Sequence, residues 1–297
     1  MNNWCIAVAA LLGLLLLLAI AELIRELNSF RTVHYELSLP QESFAEKRVV
    51  FLSDLHNHLY GKDNEKLLDA IRSEEPDLIF IAGDMLVGKA GVSWKTAAEF
   101  VKRLPEICPV YYGNGNHEQR MKEHPEKYAS AYSEYEAVLE RAGVCFLENA
   151  SVSLMLGEQK VQLYGLEIPE KYYRKGRWLK MPTEVVENCL GKAKQDAYGI
   201  LLAHNPAYCK TYAAWGADLI LSGHLHGGLL RIPGIGALIT PDFRLFPRHS
   251  GELKREGESW VVVSKGLGTH TIHFRLFDPA EVVVLHFRPC ESTGKTI

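Results

Sequence analysis

The sequence predicts an α/β fold, in which strands and helices alternate along the chain and pack in layers. Between residues 45 and 290, short runs rich in β-branched and aromatic residues alternate with longer segments whose apolar residues recur at helical spacing. Proline closes two of the helical segments, at Pro76 and Pro105. The composition, 47% hydrophobic and 23% charged, is that of a globular protein with a sizeable core.

The individual elements follow from these patterns. Five segments look like buried strands: KRVVFLSD (47–54), DLIFIAGD (77–84), CPVYYGNGNH (108–117), YGILLAHNP (198–206) and ADLILSGHLH (217–226). Helices are predicted over 64–76, 94–105 and 126–141, and three short strands over 144–166.

The amino terminus predicts a membrane anchor. Residues 4–21 carry no charge and are long enough to cross a bilayer core of roughly 30 Å as a helix. A cleaved signal peptide is the alternative, since the small residues AIA precede Glu22. We therefore predict an anchor over 4–24, a linker and entry strand over 25–44, and one domain over 45–290. Arg25 and Arg31 follow the apolar run and no basic residue precedes it, which favours a cytoplasmic domain and leaves the opposite membrane face open.

Charge and cysteine content narrow the class further. The formal net charge of -3 provides no basic field, so nucleic acid is not an expected partner. The six cysteines include no CxxC pair, and we expect them to be mainly reduced thiols.

Each of the five buried strands ends in residues that bind metals. The residues in question are Asp54 and His56, then Asp84, then Asn116 and His117, then His204, and finally His224 and His226. In α/β sheets, ligands bind outside the carboxyl ends of the strands, so the sequence predicts that these side chains meet at one edge. Taken singly, each has an ordinary structural role as a cap or turn residue, and the prediction depends on the ordered set.

The residue types indicate a site for transition metals. Imidazole and carboxylate ligands suit Mn, Fe and Zn, whereas oxygens alone would suggest Mg or Ca. Cysteine is absent from all five turns, which argues against a closed structural zinc site. Two metals about 3.5 to 4 Å apart need a bridging group, and the carboxylate of Asp84 can lend one oxygen to each.

The ordered blocks DLH (54–56), GD (83–84), GNHE (115–118), H (204) and GHLH (223–226) resemble the calcineurin-like metallophosphoesterase superfamily, whose pattern is DxH, GD, GNH[DE], H, GHxH. The later segments SGHLHGGLLRIPGIGALITPDFRLFP and VVVSKGLGTHTIHFRLFDPAEVVVLHF resemble its membrane-anchored bacterial branch. The resemblance implies two β-sheets sandwiched between helices. It further implies that Asp54, His56 and His226 hold a first divalent ion, that Asn116, His204 and His224 hold a second, and that Asp84 bridges them.

This resemblance implies a dinuclear phosphohydrolase, a phosphodiesterase or pyrophosphatase in which a metal-bridging hydroxide attacks phosphorus. The two ions are expected to be Mn, with Fe and Zn open, and His117 is the candidate general acid or phosphate-contacting group. The predicted anchor points to a lipid-linked phosphoester or a nucleotide-activated glycolipid. Soluble nucleotides or phosphomonoesters, and an inactive metal-dependent scaffold, are the alternatives; a metal amidohydrolase, which would typically begin with HxH, ranks below them.

Two features of the sequence qualify the site. Many relatives read GDxxD, with the last carboxylate orienting the catalytic histidine, but Val87 occupies this position and leaves the partner of His117 undetermined. The basic stretch KYYRKGRWLK (171–180) interleaves charges with aromatic residues, so Arg174, Lys175 and Arg177 are candidates to contact a phosphorylated substrate or lipid headgroups.

Overall fold

A computed structural model describes residues 3–39, 46–174, 176, 179–228, 230–232, 236–240, 244–269 and 274–289. Its α-helices are α1 (Asn3–Leu27), α2 (Glu65–Ser73), α3 (Lys95–Val101), α4 (Asn116–Glu123), α5 (Pro125–Tyr128), α6 (Ala131–Arg141), α7 (Thr183–Leu190) and α8 (Cys209–Trp215). Its strands are β1 (Phe30–Leu39), β2 (Lys47–Leu52), β3 (Leu78–Ala82), β4 (Val110–Gly113), β5 (Val144–Phe146), β6 (Ala150–Leu156), β7 (Gln159–Leu166), β8 (Tyr198–Ala203), β9 (Leu219–Ser222), β10 (Leu230–Ile232), β11 (Gly236–Ile239), β12 (Leu253–Glu256), β13 (Ser259–Val263) and β14 (Ala280–Pro289).

Within the described residues, the strands form two six-stranded sheets and one hairpin, β10-β11. The first sheet has the order β1-β14-β2-β3-β4-β5, in which β2 to β5 are parallel neighbours and β14 is antiparallel to β2. The second has the order β12-β13-β9-β8-β7-β6, in which β13, β9, β8 and β7 are parallel. Parallel strands need crossover helices, which cover the outer faces of both sheets.

The alternation of side chains along the strands separates the core into layers. On β2, Val50 and Leu52 pack with apolar residues of α2, α3 and α6. Val49 and Phe51 point to the opposite face and pack between the two sheets with residues of β8 and β9. Helices α7 and α8 cover the far side of the second sheet. The predicted α/β class, with two sheets sandwiched between helices, is confirmed.

Several elements differ in detail from the sequence prediction. The helix predicted over 126–141 is interrupted at Ala129, where φ is 51°, and divides into α5 and α6. The three strands predicted over 144–166 are β5, β6 and β7. The predicted entry strand is β1, which pairs in parallel with β14 along its whole length. Cys5, Cys108, Cys145, Cys189 and Cys209 are free thiols, and Cys290 lies outside the described residues.

Helix α1 differs from all other helices in its exposure. It is long and apolar enough to cross a membrane. None of its apolar stretch is buried against the rest of the described protein. A signal sequence near an amino terminus has the same properties. Only Glu26, in the last turn, is buried.

Candidate metal centre

The ligand-type residues predicted from the sequence lie at the carboxyl ends of the parallel strands of both sheets. Asp54 follows β2, Asp84 follows β3, and Asn116 and His117 begin α4 after β4. In the second sheet, His204 follows β8, and His224 and His226 follow β9. Because the two sheets pack face to face, these two edges are adjacent, and the side chains come together between them.

A first group consists of Asp54, His56 and His226, all buried. The Nε2 atoms of His56 and His226 are 3.2 Å apart and lie 3.7 and 3.4 Å from Asp54 Oδ1. One ligand atom from each residue lies within 4.8 Å of the others. This spacing is suitable for three ligands around one cation.

A second group consists of Asp84, His204 and His224, whose ligand atoms also lie within 4.8 Å of one another. Asp84 Oδ2 is 3.1 Å from His204 Nε2 and 3.8 Å from His56 Nε2, which belongs to the first group. The carboxylate of Asp84 therefore faces both groups. His117 Nε2 lies 3.8 Å from the same oxygen.

Hydrogen bonds to the far side of the rings orient two of the histidines. His204 Nδ1 lies 2.6 Å from the carbonyl of Ala82, and His226 Nδ1 lies 3.2 Å from the carbonyl of Gly268. A carbonyl only accepts, so these contacts place the proton on Nδ1 and leave the Nε2 lone pair for a metal.

One buried atom makes the fit to a cation specific. Among the described residues, Asn116 Oδ1 is a buried acceptor that has no hydrogen-bond partner. Burying such an acceptor without a partner is costly, and a divalent cation would satisfy it. The residues present therefore fit a metal centre.

The charges of the cluster compensate one another. Burial on its own would raise the pKa of Asp54, but His226 and His204 outweigh it and hold that pKa well below its ordinary range. Burial would also raise the pKa of Asp84, but His204 and His117 lower it well below its ordinary range. Conversely, burial opposes the charged form of His204, yet Asp84 and Asp54 raise its pKa to about 10. Protons thus occupy the place of cations, and metal binding must displace them.

The backbone of the site is strained at the ligands themselves. Asp54, His56, Asp84, His224 and His226 have φ values of 52°, 47°, 55°, 70° and 49°. This left-handed conformation costs an ordinary L-residue roughly 1–2 kcal/mol, and such strain concentrates at functional sites. Hydrogen bonds hold the backbone in this conformation. The N–H of His224, for example, donates to Asp54 Oδ2 at 3.0 Å.

The glycines around the ligands have two different functions. Gly227 and Gly228 have φ of 74° and 109°, so the backbone makes a tight left-handed turn there. Gly113 and Gly115 are not in the left-handed region. Gly115 is required for space instead, because a Cβ there would lie 2.2 Å from Asp84 Oδ1.

A backbone amide orients His117. The N–H of Gly88, directly after Val87, donates to His117 Nδ1 at 2.8 Å. Nδ1 is therefore the acceptor of the neutral ring and Nε2 carries the proton, facing Asp84. The ring is thus oriented by a main-chain donor and not by a carboxylate acceptor, and such a main-chain contact has no signature in the sequence.

Glu118 fixes the loop that carries Asp84. Its buried carboxylate accepts the N–H groups of Asp84, Met85 and Gly115 at 2.8, 2.9 and 3.1 Å, and the hydroxyl of Tyr112 at 2.8 Å. Burial, with Asp84 adding to it, raises the pKa of Glu118 to about 7. The side chain thus positions the metal-binding loop.

An open recess of about 100 Å³ adjoins the cluster. It is lined by Asn116, Gln119, Arg120, Glu123, Glu170, Tyr173 and Arg174. The ring of Tyr173 also meets that of His224 edge-on, with centroids 5.3 Å apart. Of the basic stretch highlighted above, Arg174 lines this recess, whereas Lys175 and Arg177 lie outside the described residues.

Buried carboxylates and imidazoles at the facing edges of two sheets are the ligand types of a metal-dependent hydrolase. The sequence signature of the calcineurin-like phosphoesterases matches residues 47–228, more than half of the protein. The chain belongs to the calcineurin-like phosphoesterase family.

Individual relatives resemble the chain over most of its length. The uncharacterized protein YpbG of Bacillus subtilis is 27% identical over 230 residues, which cover 77% of this chain and 76% of that protein. The phosphodiesterase YaeI of Escherichia coli is 24% identical over 245 residues, 81% of this chain and 82% of its own. Among solved structures, the phosphopantetheinyl hydrolase PptH of Mycobacterium tuberculosis is similar with a TM-score of 0.47 and 13% identity, covering 76% of this chain and 92% of PptH.

Proposed function

We propose that this protein is a dinuclear phosphodiesterase or pyrophosphatase held at a membrane by α1. The observation that carries the proposal is the meeting of two ligand groups at Asp84, whose Oδ2 lies within 4 Å of histidines from both. A carboxylate placed between two ligand groups would let one residue contact two cations, the arrangement of a two-metal phosphoesterase site.

In the proposed assignment, Asp54, His56 and His226 would hold one metal. Asn116, His204 and His224 would hold the other, and Asp84 would contact both. The grouping of ligand atoms in the structure supports this division, as does the unpartnered Oδ1 of Asn116. Mn is the metal we favour, because a mixed imidazole and carboxylate set suits it; Fe and Zn suit the same ligands.

Bound divalent cations supply positive charge for the phosphoryl oxygens and lower the pKa of a nearby water toward neutrality. The residues of the chain provide the rest. The Nε2–H of His117, fixed by Gly88, is directed at the cluster and can donate to the leaving oxygen or to the phosphate. Arg120 and Arg174 in the adjoining recess offer charge to the remainder of the substrate.

Helix α1 and one relative guide the choice of substrate. The name of YaeI supports a phosphodiester over a monoester. A membrane-spanning α1 would hold the site close to the bilayer, so we favour a lipid-linked phosphodiester or pyrophosphate, for example a nucleotide-activated glycolipid. Soluble nucleotides and phosphomonoesters fit the same ligands and are the second candidates.

The full chain, purified in detergent and loaded with Mn²⁺, is expected to hydrolyse bis-p-nitrophenyl phosphate faster than p-nitrophenyl phosphate. Chelation should abolish hydrolysis, and Mn²⁺ should restore it.

Metal affinity should be lower at pH 6 than at pH 8, because protons on residues such as His204, whose pKa is about 10, compete with the cation. Metal content and hydrolysis rate measured in parallel test this; metal-loaded protein without activity on either ester or on a lipid pyrophosphate would favour the inactive scaffold.

Replacing His117 by alanine is expected to lower kcat by about 10² to 10⁴-fold on esters with a poor leaving group, if Nε2–H protonates the leaving oxygen. The loss should be smaller on bis-p-nitrophenyl phosphate, because p-nitrophenolate leaves without a proton. A series of aryl phosphodiesters measures this dependence, with the metal content of each variant as the control. An equal loss across the series would assign His117 to phosphate contact instead of proton donation.

A further inference from the structure

The segment from Phe274 to Asp278 displays two phenylalanines to solvent. Phe274 and Phe277 are 43% and 53% exposed. Phe277 also has φ of 58°, a conformation that a bulky L-residue rarely adopts and that glycine or asparagine would take with less strain. Local folding therefore does not account for an aromatic residue at this position.

This loop is held rigidly from beneath. The side chain of Arg275, only 3% exposed, donates hydrogen bonds to the carbonyls of Lys265, Gly266, Gly268 and Asp278. These bonds fix the backbone on both sides of the exposed rings. The backbone that carries the two phenylalanines is thus held by hydrogen bonds to the protein beneath it.

The loop lies against the end of α1. Glu26, fully buried in the last turn of that helix, accepts the N–H of Asp278 at 3.0 Å. Strand β1 begins at Phe30, three residues after α1 ends, a connection that spans about 11 Å at most. A bilayer crossed by α1 would thus have its surface beside Phe277, the residue preceding Asp278.

The same loop contacts the metal centre. A carboxylate oxygen of Asp278 lies 2.0 Å from the position that a Cβ of Gly227 would take, and Gly227 follows His226. Gly268, whose carbonyl accepts from Arg275, also contacts His226 Nδ1. One layer of residues therefore separates the first ligand group from the end of α1.

We propose that the 274–278 loop inserts its phenylalanines into the headgroup region of a lipid bilayer, so that the metal site acts on phosphoesters presented in the membrane surface. The choice of a bilayer over a protein partner follows from continuity with α1, the one apolar helix in the described chain that is long enough to span it. The proposal rests on the membrane anchoring and hydrolytic activity proposed above.

The first test measures insertion without reference to catalysis. The full chain carrying Phe277→Trp is placed in lipid nanodiscs whose acyl chains are brominated near the glycerol backbone, and emission is compared with that of the wild type, which has five tryptophans. Met155→Trp is the matched control, since Met155 is 56% exposed and pairs with Lys160 at the opposite end of the second sheet. We expect bromine to quench the added emission of Phe277→Trp but not that of Met155→Trp. Equal quenching of the two variants, or no quenching of Phe277→Trp, would overturn the proposal.

The second test links insertion to activity. Phe277→Asn suits a positive φ and should fold at least as stably as the wild type. In the same nanodiscs we expect it to hydrolyse embedded hexadecyl p-nitrophenyl phosphate more slowly, with hydrolysis of soluble bis-p-nitrophenyl phosphate unchanged. An unchanged rate on both esters would overturn the role of the loop in presenting the substrate. If the wild-type protein hydrolysed neither ester, the proposed hydrolase would be contradicted. The quenching result would still show whether the 274–278 loop inserts into the bilayer.

Discussion

Replacing Asp84 by asparagine is expected to lower hydrolysis of bis-p-nitrophenyl phosphate by about 10³-fold or more. The amide retains an oxygen for the N–H of His117, now 2.8 Å from Asp84 Oδ1, so the loop should keep its conformation. It removes the negative oxygen that faces both His56 and His204. A metal contributes several kcal/mol to transition-state charge stabilisation, and each 1.36 kcal/mol corresponds to a factor of ten in rate.

The same strand offers a control for this variant. Asp77 lies at the opposite end of β3, where it accepts the N–H of Arg48 and the ammonium of Lys47. Asp77→Asn makes the same chemical change away from the cluster and should leave metal content and kcat close to wild type. Metal content should fall in Asp84→Asn alone. Equal activity of the two variants would contradict the proposed centre.

Replacing Glu118 by alanine is expected to have the largest effect on stability. The N–H groups of Asp84, Met85 and Gly115 would lose their acceptor in a buried site, and each unsatisfied donor costs about 1–3 kcal/mol. We expect the free energy of unfolding to fall by about 3 kcal/mol or more. Glu118→Gln should lose less, because its amide can turn toward the hydroxyl of Tyr112, which can accept.

Urea denaturation in the presence of a chelator measures this effect apart from the metal. Glu123→Gln on the same helix is the matched control, since Glu123 is exposed and substitutions there usually change stability by no more than about 0.5 kcal/mol. If Glu118→Ala unfolded at the same urea concentration as Glu123→Gln, the carboxylate would not be what holds the loop of Asp84.

The layered fold could be predicted from the sequence because it depends on local patterns. Val49, Val50, Phe51 and Leu52 are apolar without interruption, and a strand buried on both faces is the simplest structure that accommodates them. The assembly of the ligand groups followed from strand order in the same way. The break of one predicted helix at Ala129 did not, because a single left-handed residue leaves helical periodicity intact.

The features of the site that escaped prediction are those that depend on the main chain. The sequence shows Val87 but not that the N–H of Gly88 would reach His117. It shows glycines near the ligands but not that Asp54 and His224 themselves adopt positive φ. Both depend on tertiary contacts between distant segments, which a single sequence does not record.

The order of strands in the first sheet has a consequence for biosynthesis. Strand β1, which follows α1, pairs with β14, and β14 in turn pairs with β2. Within the described residues, the first strand to leave the ribosome therefore has no neighbour in the sheet until the last strand has been synthesised. Such long-range closure makes folding slow. Helix α1 therefore leaves the ribosome well before the sheet that follows it can close.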